Sequence, residues 1–176
     1  QYIRGLTPSI VGLILLAQPL CQAITSPFAG RLSDIFKQKA IVSIGVSLVV
    51  SSLIAYTILL RYEVEYWIII IILCISGCGY GLFSSPNSNA IMSSIEKSDY
   101  GLASALVGTM RTIGQTLSFG VVTLISAIII GNMSVNDPAY KFSLQESLLL
   151  AFPTLLIFAL ISLTFSIFRG ENKLTF

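Results

Sequence analysis

The sequence predicts an all-α, multi-pass membrane protein, because long apolar runs dominate it and charges are confined to short segments between them. Apolar residues make up 55% of the 176-residue chain and charged residues 10%, whereas a soluble domain carries about 25% charged residues. A helix needs about 20 apolar residues to cross the hydrocarbon core. Five segments meet this requirement, and the predicted spans are residues 7–29, 40–60, 67–92, 101–130 and 144–168.

The first two spans are separated by Gly30–Lys39, the charge cluster between two uncharged runs. We expect this decapeptide to be a short loop on the cytoplasmic side, because Lys and Arg residues are enriched in cytoplasmic loops. Connectors on its side of the membrane and the C-terminal segment hold Arg31, Lys37, Lys39, Lys97, Arg169 and Lys173. Those on the other side hold Arg4, Arg61 and Lys141. The expected topology in a cell (inner) membrane therefore has the N-terminus outside and the C-terminus inside.

Polarity divides the spans into two groups. The second span has only scattered serines and the fifth is apolar all round, so both are expected to be peripheral and largely lipid-facing. In the first span, Gln18, Gln22 and Ser26 recur every four residues and share one face. Pro19 lies beside that stripe and should kink the helix. Because lipid leaves polar groups unpaired, this face is expected to meet protein or water.

The third and fourth spans are also polar. In the third, Gly77 and Gly81 form a GxxxG pair typical of helix packing, and Pro86-Asn87 is expected to break the helix and to line a pathway. The fourth span has one polar stripe, which consists of Ser104, Gly108, Arg111, Gln115 and Ser118. The first, third and fourth spans are therefore the candidates for a cavity wall.

Arg111 is the one charge placed well inside a span, and two interpretations stay open. It either lies in a cavity, facing an anionic substrate or a partner carboxylate, or snorkels to the cytoplasmic interface. The glutamines have a similar alternative, which is ordinary hydrogen bonding between helices. We take Gln18, Gln22, Asn87, Arg111 and Gln115 as candidate substrate-cavity residues.

Metal binding, catalysis and nucleic acid binding have little support in the residues present. Histidine is absent and the three cysteines are interpreted as apolar packing residues, so we expect no metal site. The acidic residues lie in or near connectors or the tail, so no buried carboxylate pair is available for catalysis. The net charge of +2 does not suggest nucleic acid binding. We therefore expect no enzyme and no catalytic residue.

Three motifs in order resemble the major facilitator superfamily. The first is Gly30-Arg31-Leu32-Ser33-Asp34 with Lys39, which is similar to its cytoplasmic signature loop. The second and third are Gly81–Asn87 and Gly101–Ala105 followed by Arg111–Gln115, which are similar to the C-terminal part of the fourteen-helix drug–proton antiporters. The resemblance covers essentially the whole chain. Ile35, Lys37 and Gln38 depart from the signature, which weakens the expected strength of the loop as a latch.

The resemblance implies that residues 1–176 form the last five helices of a transporter, a partial C-terminal helix bundle. Gly30, Arg31, Asp34 and Lys39 would form the cytoplasmic gating loop. The expected function is proton-coupled efflux of drugs or other amphipathic molecules by alternating access, with the proton gradient as energy source and no cofactor. The expected partners are the lipid bilayer, a small-molecule substrate and the missing N-terminal half. Alternatives are an importer of a small solute and a non-transporting, truncated membrane scaffold.

Overall fold

The computed structural model describes residues 5–62, 64–135 and 137–168, with the backbone but not the side chain of Asp34. Six α-helices form in this part of the chain and are joined by short connectors. They are α1 (Pro8–Leu15), α2 (Ala17–Ile35), α3 (Gln38–Leu59), α4 (Tyr66–Ser93), α5 (Tyr100–Ile130) and α6 (Tyr140–Phe168), and one 3-10 turn at Lys97–Asp99 leads into α5. Five spans are long and apolar enough to cross a membrane, with α1 and α2 counted as one. The predicted all-α membrane fold is confirmed.

The first span is interrupted at Leu16, between α1 and α2. Pro19 lacks the N–H that would donate to the carbonyl of Leu15, four residues earlier, and its ring crowds that carbonyl. The helix resumes at once, with the amide of Leu20 donating to the carbonyl of Leu16 at 3.1 Å. The disturbance expected from Pro19 therefore takes the form of a one-residue break.

The connectors lie at two ends of the bundle. The Gln145 side chain of α6 donates to the carbonyl of Leu60 at 3.3 Å, which brings the start of α6 to the end of α3. Ser43 and Ser166 hydroxyls lie 3.1 Å apart, which brings the end of α6 to the start of α3. Arg4, Arg169 and Lys173, which contribute to the predicted topology, lie outside the described residues.

The expectation that Gly30–Lys39 is a loop is wrong for its first six residues, because α2 continues to Ile35. The amide of Phe36 still donates to the carbonyl of Leu32 at 2.9 Å, and α3 begins at Gln38. Charged side chains permit a helix to continue beyond the hydrocarbon, where water solvates them. The apolar run therefore marked the membrane boundary and not the end of the helix.

Helix α4 lies at the centre of the bundle and packs against α2 and α3. Its three alternate glycines divide between those neighbours. A Cβ at Gly77 would overlap the carbonyl of Gln18 in α2, and a Cβ at Gly81 would lie 2.8 Å from the Cβ of Thr25. A Cβ at Gly79 would instead lie 2.8 Å from the carbonyl oxygen of Gly45 in α3. The predicted packing role of the GxxxG pair is confirmed, and Gly79 adds a second close approach on the opposite face.

The second predicted span, α3, is more buried than expected, so its assignment as largely lipid-facing is wrong. Val42, Val46 and Val50 form a buried cluster, against which residues of α4 and α6 pack. Exposed positions are confined to one narrow stripe, which consists of Ala40, Ile44, Ser47, Ser51, Ile54 and Ile58. Lipid is as apolar as valine, so close packing rather than escape from water stabilises this contact.

Pro86 does not break α4, which runs without interruption from Tyr66 to Ser93. The proline is fully buried. A proline in a membrane helix is tolerated where neighbouring groups satisfy the freed backbone carbonyl. The predicted break at Pro86-Asn87 is therefore wrong, and Asn87 lies on a continuous helix.

Helix α6 buries one stripe of small residues, namely Ser143, Ser147 and Ala151, and leaves much of its remaining surface exposed. It packs against α3 and α5. Helix α5 is the most exposed of the long helices, since Ala103 is its one buried residue. Its half-buried positions lie mainly between Val121 and Ile130. The first two-thirds of α5 therefore stands away from the rest of the described bundle.

Candidate substrate-facing groove

The clearest polar contact between spans joins α5 to α4. The Nη2 atom of Arg111 donates to the Oγ of Ser84 at 2.8 Å. Arg111 lies eleven residues after the first residue of α5, which corresponds to about 16 Å along the helix axis. Ser84 lies nine residues before the end of α4, which corresponds to about 13 Å. The contact is therefore well inside both spans.

The direction of this hydrogen bond bears on the two interpretations of Arg111. A snorkelling side chain extends along its own helix toward the interface, whereas this guanidinium reaches across to another helix. A guanidinium has five N–H donors, so one bond to Ser84 leaves it able to bind further acceptors. Its role in a cavity stays a prediction.

We call the space beside α4, between α2 and α5, the groove. Both helices contact α4, but within the described residues they do not contact one another. Gly77, Gly81 and Ser84 follow the spacing of one helix face on α4. The first two meet α2 and the third meets Arg111. One face of α4 therefore contacts α2 at Gly77 and Gly81 and α5 at Ser84.

Helix α5 is open on more than one face. Gly108, Gly114 and Gly120 have nothing within 4 Å of an added Cβ. Thr109 and Thr112 satisfy their hydroxyls locally, by donating to the carbonyls of Ala105 and Gly108 at 2.8 and 3.0 Å. Gln115 lies one turn beyond Arg111 on the same stripe and is exposed. A polar surface at this depth needs protein or water beside it.

The α2 wall carries the two predicted glutamines. Gln18 and Gln22 are half-buried. Their backbones lie against the α4 glycines, since an added Cβ at Gly81 would lie 3.2 Å from the Gln22 carbonyl. Ser26 donates its hydroxyl to that same Gln22 carbonyl at 2.8 Å. The structure thus places the glutamines at the α2–α4 contact and Arg111 at the α5–α4 contact.

Asn87 and Ser84 lie one turn apart on α4, so they occupy neighbouring positions on that helix. Asn87 is half-buried. Ser84 was not among the residues predicted for the cavity, although it is the first residue of the polar run that leads to Asn87. Its spacing of seven residues from Gly77 was the available signal, because this spacing puts both residues on one face.

The predicted gating segment lies at the end of the same groove. A Cβ at Gly30 would lie 3.2 Å from the Ser85 hydroxyl of α4, so α2 and α4 stay close here. The hydroxyl of Ser33, which is buried, donates to the carbonyl of Gly30 at 2.6 Å. Arg31 is exposed in the last turns of α2, and Lys39 is half-buried in the first turn of α3. The side chain of Asp34 is outside the described part of the structure.

The described residues offer few ligands for a metal or a cofactor. They contain no group of three or more His, Cys, Asp or Glu side chains able to hold a metal ion. The three cysteines are free and half-buried, and Thr25 donates its hydroxyl to the sulfur of Cys78 at 3.5 Å. This contact joins α2 to α4, as expected of cysteines that act in packing.

Several known transporters are similar to this chain. It is 29% identical over 117 residues to the riboflavin transporter RibZ of Clostridioides difficile, covering 66% of this chain and 25% of that protein. It is 31% identical over 125 residues to the uncharacterized transporter YebQ of Escherichia coli, covering 70% and 27%. It is 25% identical over 153 residues to the multidrug resistance protein Stp of Mycobacterium tuberculosis, covering 83% and 28%.

The matched part of each of these relatives is about a quarter of its length. No solved structure matches the chain significantly. The family profile of the Major Facilitator Superfamily matches residues 1–172, nearly the whole chain. The helical architecture, the small-residue packing of α4 and this match agree, and the chain belongs to the Major Facilitator Superfamily.

Proposed function

We propose that this chain is the C-terminal transmembrane part of a secondary transporter that exports drugs or other amphipathic small molecules in exchange for protons. The observation that carries the proposal is the Arg111–Ser84 hydrogen bond, which lies deep in the groove between α2 and α5. A cation held inside a span is costly unless it serves a partner, a substrate or an ion pathway. Membership of a transporter family makes the pathway the favoured use.

The mechanism we propose is alternating access, in which two halves rock around a site near the middle of the membrane. The described residues supply one side of such a site, with α4 as its floor. The other side requires the N-terminal half, because the chain spans about a quarter of the relatives that it matches. The missing half is also the proposed source of the carboxylates that bind the transported protons.

The proposed orientation follows from the charges at the two ends of the bundle. Arg31, Lys39 and Lys97 lie in helix ends and connectors at one end, and Arg61 and Lys141 lie at the other. With the first end in the cytoplasm of a cell membrane, the topology obeys the positive-inside rule. The N-terminal end of α1 then faces outward.

The names of two relatives indicate different substrates, and this supports a second candidate function. The name of Stp describes multidrug resistance and that of RibZ describes riboflavin transport. An importer of one small solute is therefore the alternative to an exporter with broad specificity.

Transport in inverted membrane vesicles tests the proposal. Vesicles that contain the protein and its N-terminal half are given an inward-acidic pH gradient and either ethidium or riboflavin. Uptake of ethidium that a protonophore abolishes is the expected result. Release of preloaded riboflavin from the vesicles, without uptake of ethidium, would support the second candidate, because import into a cell corresponds to movement out of an inverted vesicle. Movement of neither probe, with the protein present at normal abundance, would favour the scaffold alternative.

A further inference from the structure

The three cysteines of the chain gather at the contact between α2 and α4. Cys21 belongs to α2, and Cys74 and Cys78 lie one turn apart on α4. All three are free and half-buried. The Cys21 thiol interacts with the thiols of both α4 cysteines. A cluster of three thiols therefore connects two helices that are distant in the sequence.

The register of α2 on α4 determines which two thiols form a pair. A Cβ at Gly77 would lie 3.0 Å from the Cβ of Cys21, and a Cβ at Gly81 would lie 2.8 Å from the Cβ of Thr25. From the first contact to the second, both helices advance by four residues. Helices α2 and α4 therefore run in the same direction and keep one register over this turn.

This register pairs Cys21 with Cys74. The hydroxyl of Thr25 donates to the sulfur of Cys78 at 3.5 Å, across a sequence separation of 53 residues. Cys21 and Cys74 have the same separation and lie one turn earlier on their helices. Their sulfurs therefore occupy positions equivalent to those of the hydroxyl and the sulfur that already touch. A disulfide joins cysteines whose Cβ atoms are about 3.5–4.5 Å apart, which suits helices packed this closely.

The pair is not sealed inside the described bundle. Ile71 and Ile75, on the same helix as Cys74, are exposed, and Leu20 is exposed beside Cys21. Cys74 lies eight residues after the first residue of α4, which corresponds to about 12 Å along the helix axis. At this depth in a span, an apolar reagent dissolves around the thiols and a charged one does not.

We propose that Cys21 and Cys74 form a modification site, at which an apolar two-electron oxidant joins α2 to α4 by a disulfide. With molecular iodine as the oxidant, one thiol becomes a sulfenyl iodide and releases one molecule of HI. The second thiol attacks this sulfur, so the S–S bond forms as the S–I bond breaks, and a second HI leaves. The two sulfurs lose two electrons in total, and the iodine gains them as two iodide ions. The bond closes a covalent loop that contains α3, whatever substrate the protein transports.

Differential alkylation of the protein with its N-terminal half, in membranes, tests this proposal. After treatment with iodine, free thiols are blocked with iodoacetamide, and disulfides are then reduced and labelled with N-ethylmaleimide. Peptide mass spectrometry measures the maleimide-labelled fraction of each cysteine separately, so cysteines elsewhere in the protein do not interfere. We expect equal labelled fractions at Cys21 and Cys74, at least fivefold above the fraction at Cys78. A linked peptide that contains Cys21 and Cys74 should be present before reduction.

Two single variants separate this pair from general oxidation of thiols. Cys74→Ser should lower the maleimide-labelled fraction of Cys21 at least fivefold. Cys78→Ser is the matched control, because it removes a thiol one turn away on the same helix, and it should leave the labelling of Cys21 unchanged. Absence of maleimide label from Cys21 in the unaltered protein would overturn the proposal. An equal loss in both variants, or a peptide that links Cys21 to Cys78, would overturn the assigned pair.

Discussion

Gly79→Ala tests the packing account of the bundle most sharply, because the geometry predicts the size of the effect. A Cβ at Gly79 lies 2.8 Å from the Gly45 carbonyl oxygen, and 3.0 Å from side-chain carbons of Leu48 and Val49. Ordinary van der Waals contact begins at 3.4 Å. Helices α3 and α4 must therefore separate by about 0.6 Å at this point, since the overlapping atom is backbone and has no rotamer change available.

The expected cost follows from that overlap. Forcing an extra carbon into a well-packed contact costs about 1–3 kcal/mol. Alanine also gains about 1 kcal/mol over glycine inside a helix. Gly114→Ala receives the same gain with no cost, because nothing lies within 4 Å of a Cβ at Gly114. The difference between the two variants thus isolates the overlap and should be about 1–3 kcal/mol.

Reversible unfolding in mixed detergent and SDS, followed by circular dichroism, measures this difference. The double variant Gly45→Ala/Gly79→Ala should cost less than the sum of its parts, because one separation of the helices relieves both overlaps. Equal free energies of unfolding for Gly79→Ala and Gly114→Ala would refute the reasoning. Strict additivity in the double variant would show that the two glycines do not share one contact.

Three further predictions concern the groove and its ends. Gly77→Ala should push α2 away from α4, because a Cβ at this position would also lie 3.0 Å from the Cβ of Cys21. A maleimide should therefore label Cys21 several-fold faster than in the unaltered protein, and an unchanged labelling rate would contradict the contact. Ser84→Ala removes the acceptor of the Arg111 hydrogen bond and should reduce transport at least tenfold, as measured in vesicles, since one bond to a charged group contributes about 1.5–3 kcal/mol and about 1.4 kcal/mol is a factor of ten. Ser84→Thr, which keeps the hydroxyl, should retain most transport. Asp34→Asn, predicted from the signature resemblance, should lower the turnover rate more than it raises KM; an unchanged rate would remove the latch role.

The spans were predictable because the length and apolarity of a run are local properties, set by the thickness of the bilayer. The ends of the helices were less predictable than the spans. Gly30–Ile35 continues α2 beyond the apolar run, since charges mark the membrane boundary and do not stop a helix. Pro86 was expected to break α4, but its buried position within the packed bundle allows the helix to continue.

The polar stripes were also predictable, because helical periodicity alone puts Arg111 and Gln115 on one face. Their partners were not. Ser84 meets Arg111 only because α5 crosses α4 at that height, and a crossing depends on the whole bundle. The burial of α3 had the same cause, because its serines and valines gave no sign that both α4 and α6 would cover them.

The most direct test of the proposed function measures ethidium efflux by Arg111→Ala in the protein with its N-terminal half. Loss of a charged hydrogen-bonding group costs about 1.5–3 kcal/mol, and about 1.4 kcal/mol is a factor of ten. We predict at least a tenfold loss of efflux at unchanged membrane abundance. Thr109→Ala on the same helix, whose hydroxyl only meets the Ala105 carbonyl, should transport normally. Normal efflux by Arg111→Ala would contradict a substrate path through the groove between α2 and α5.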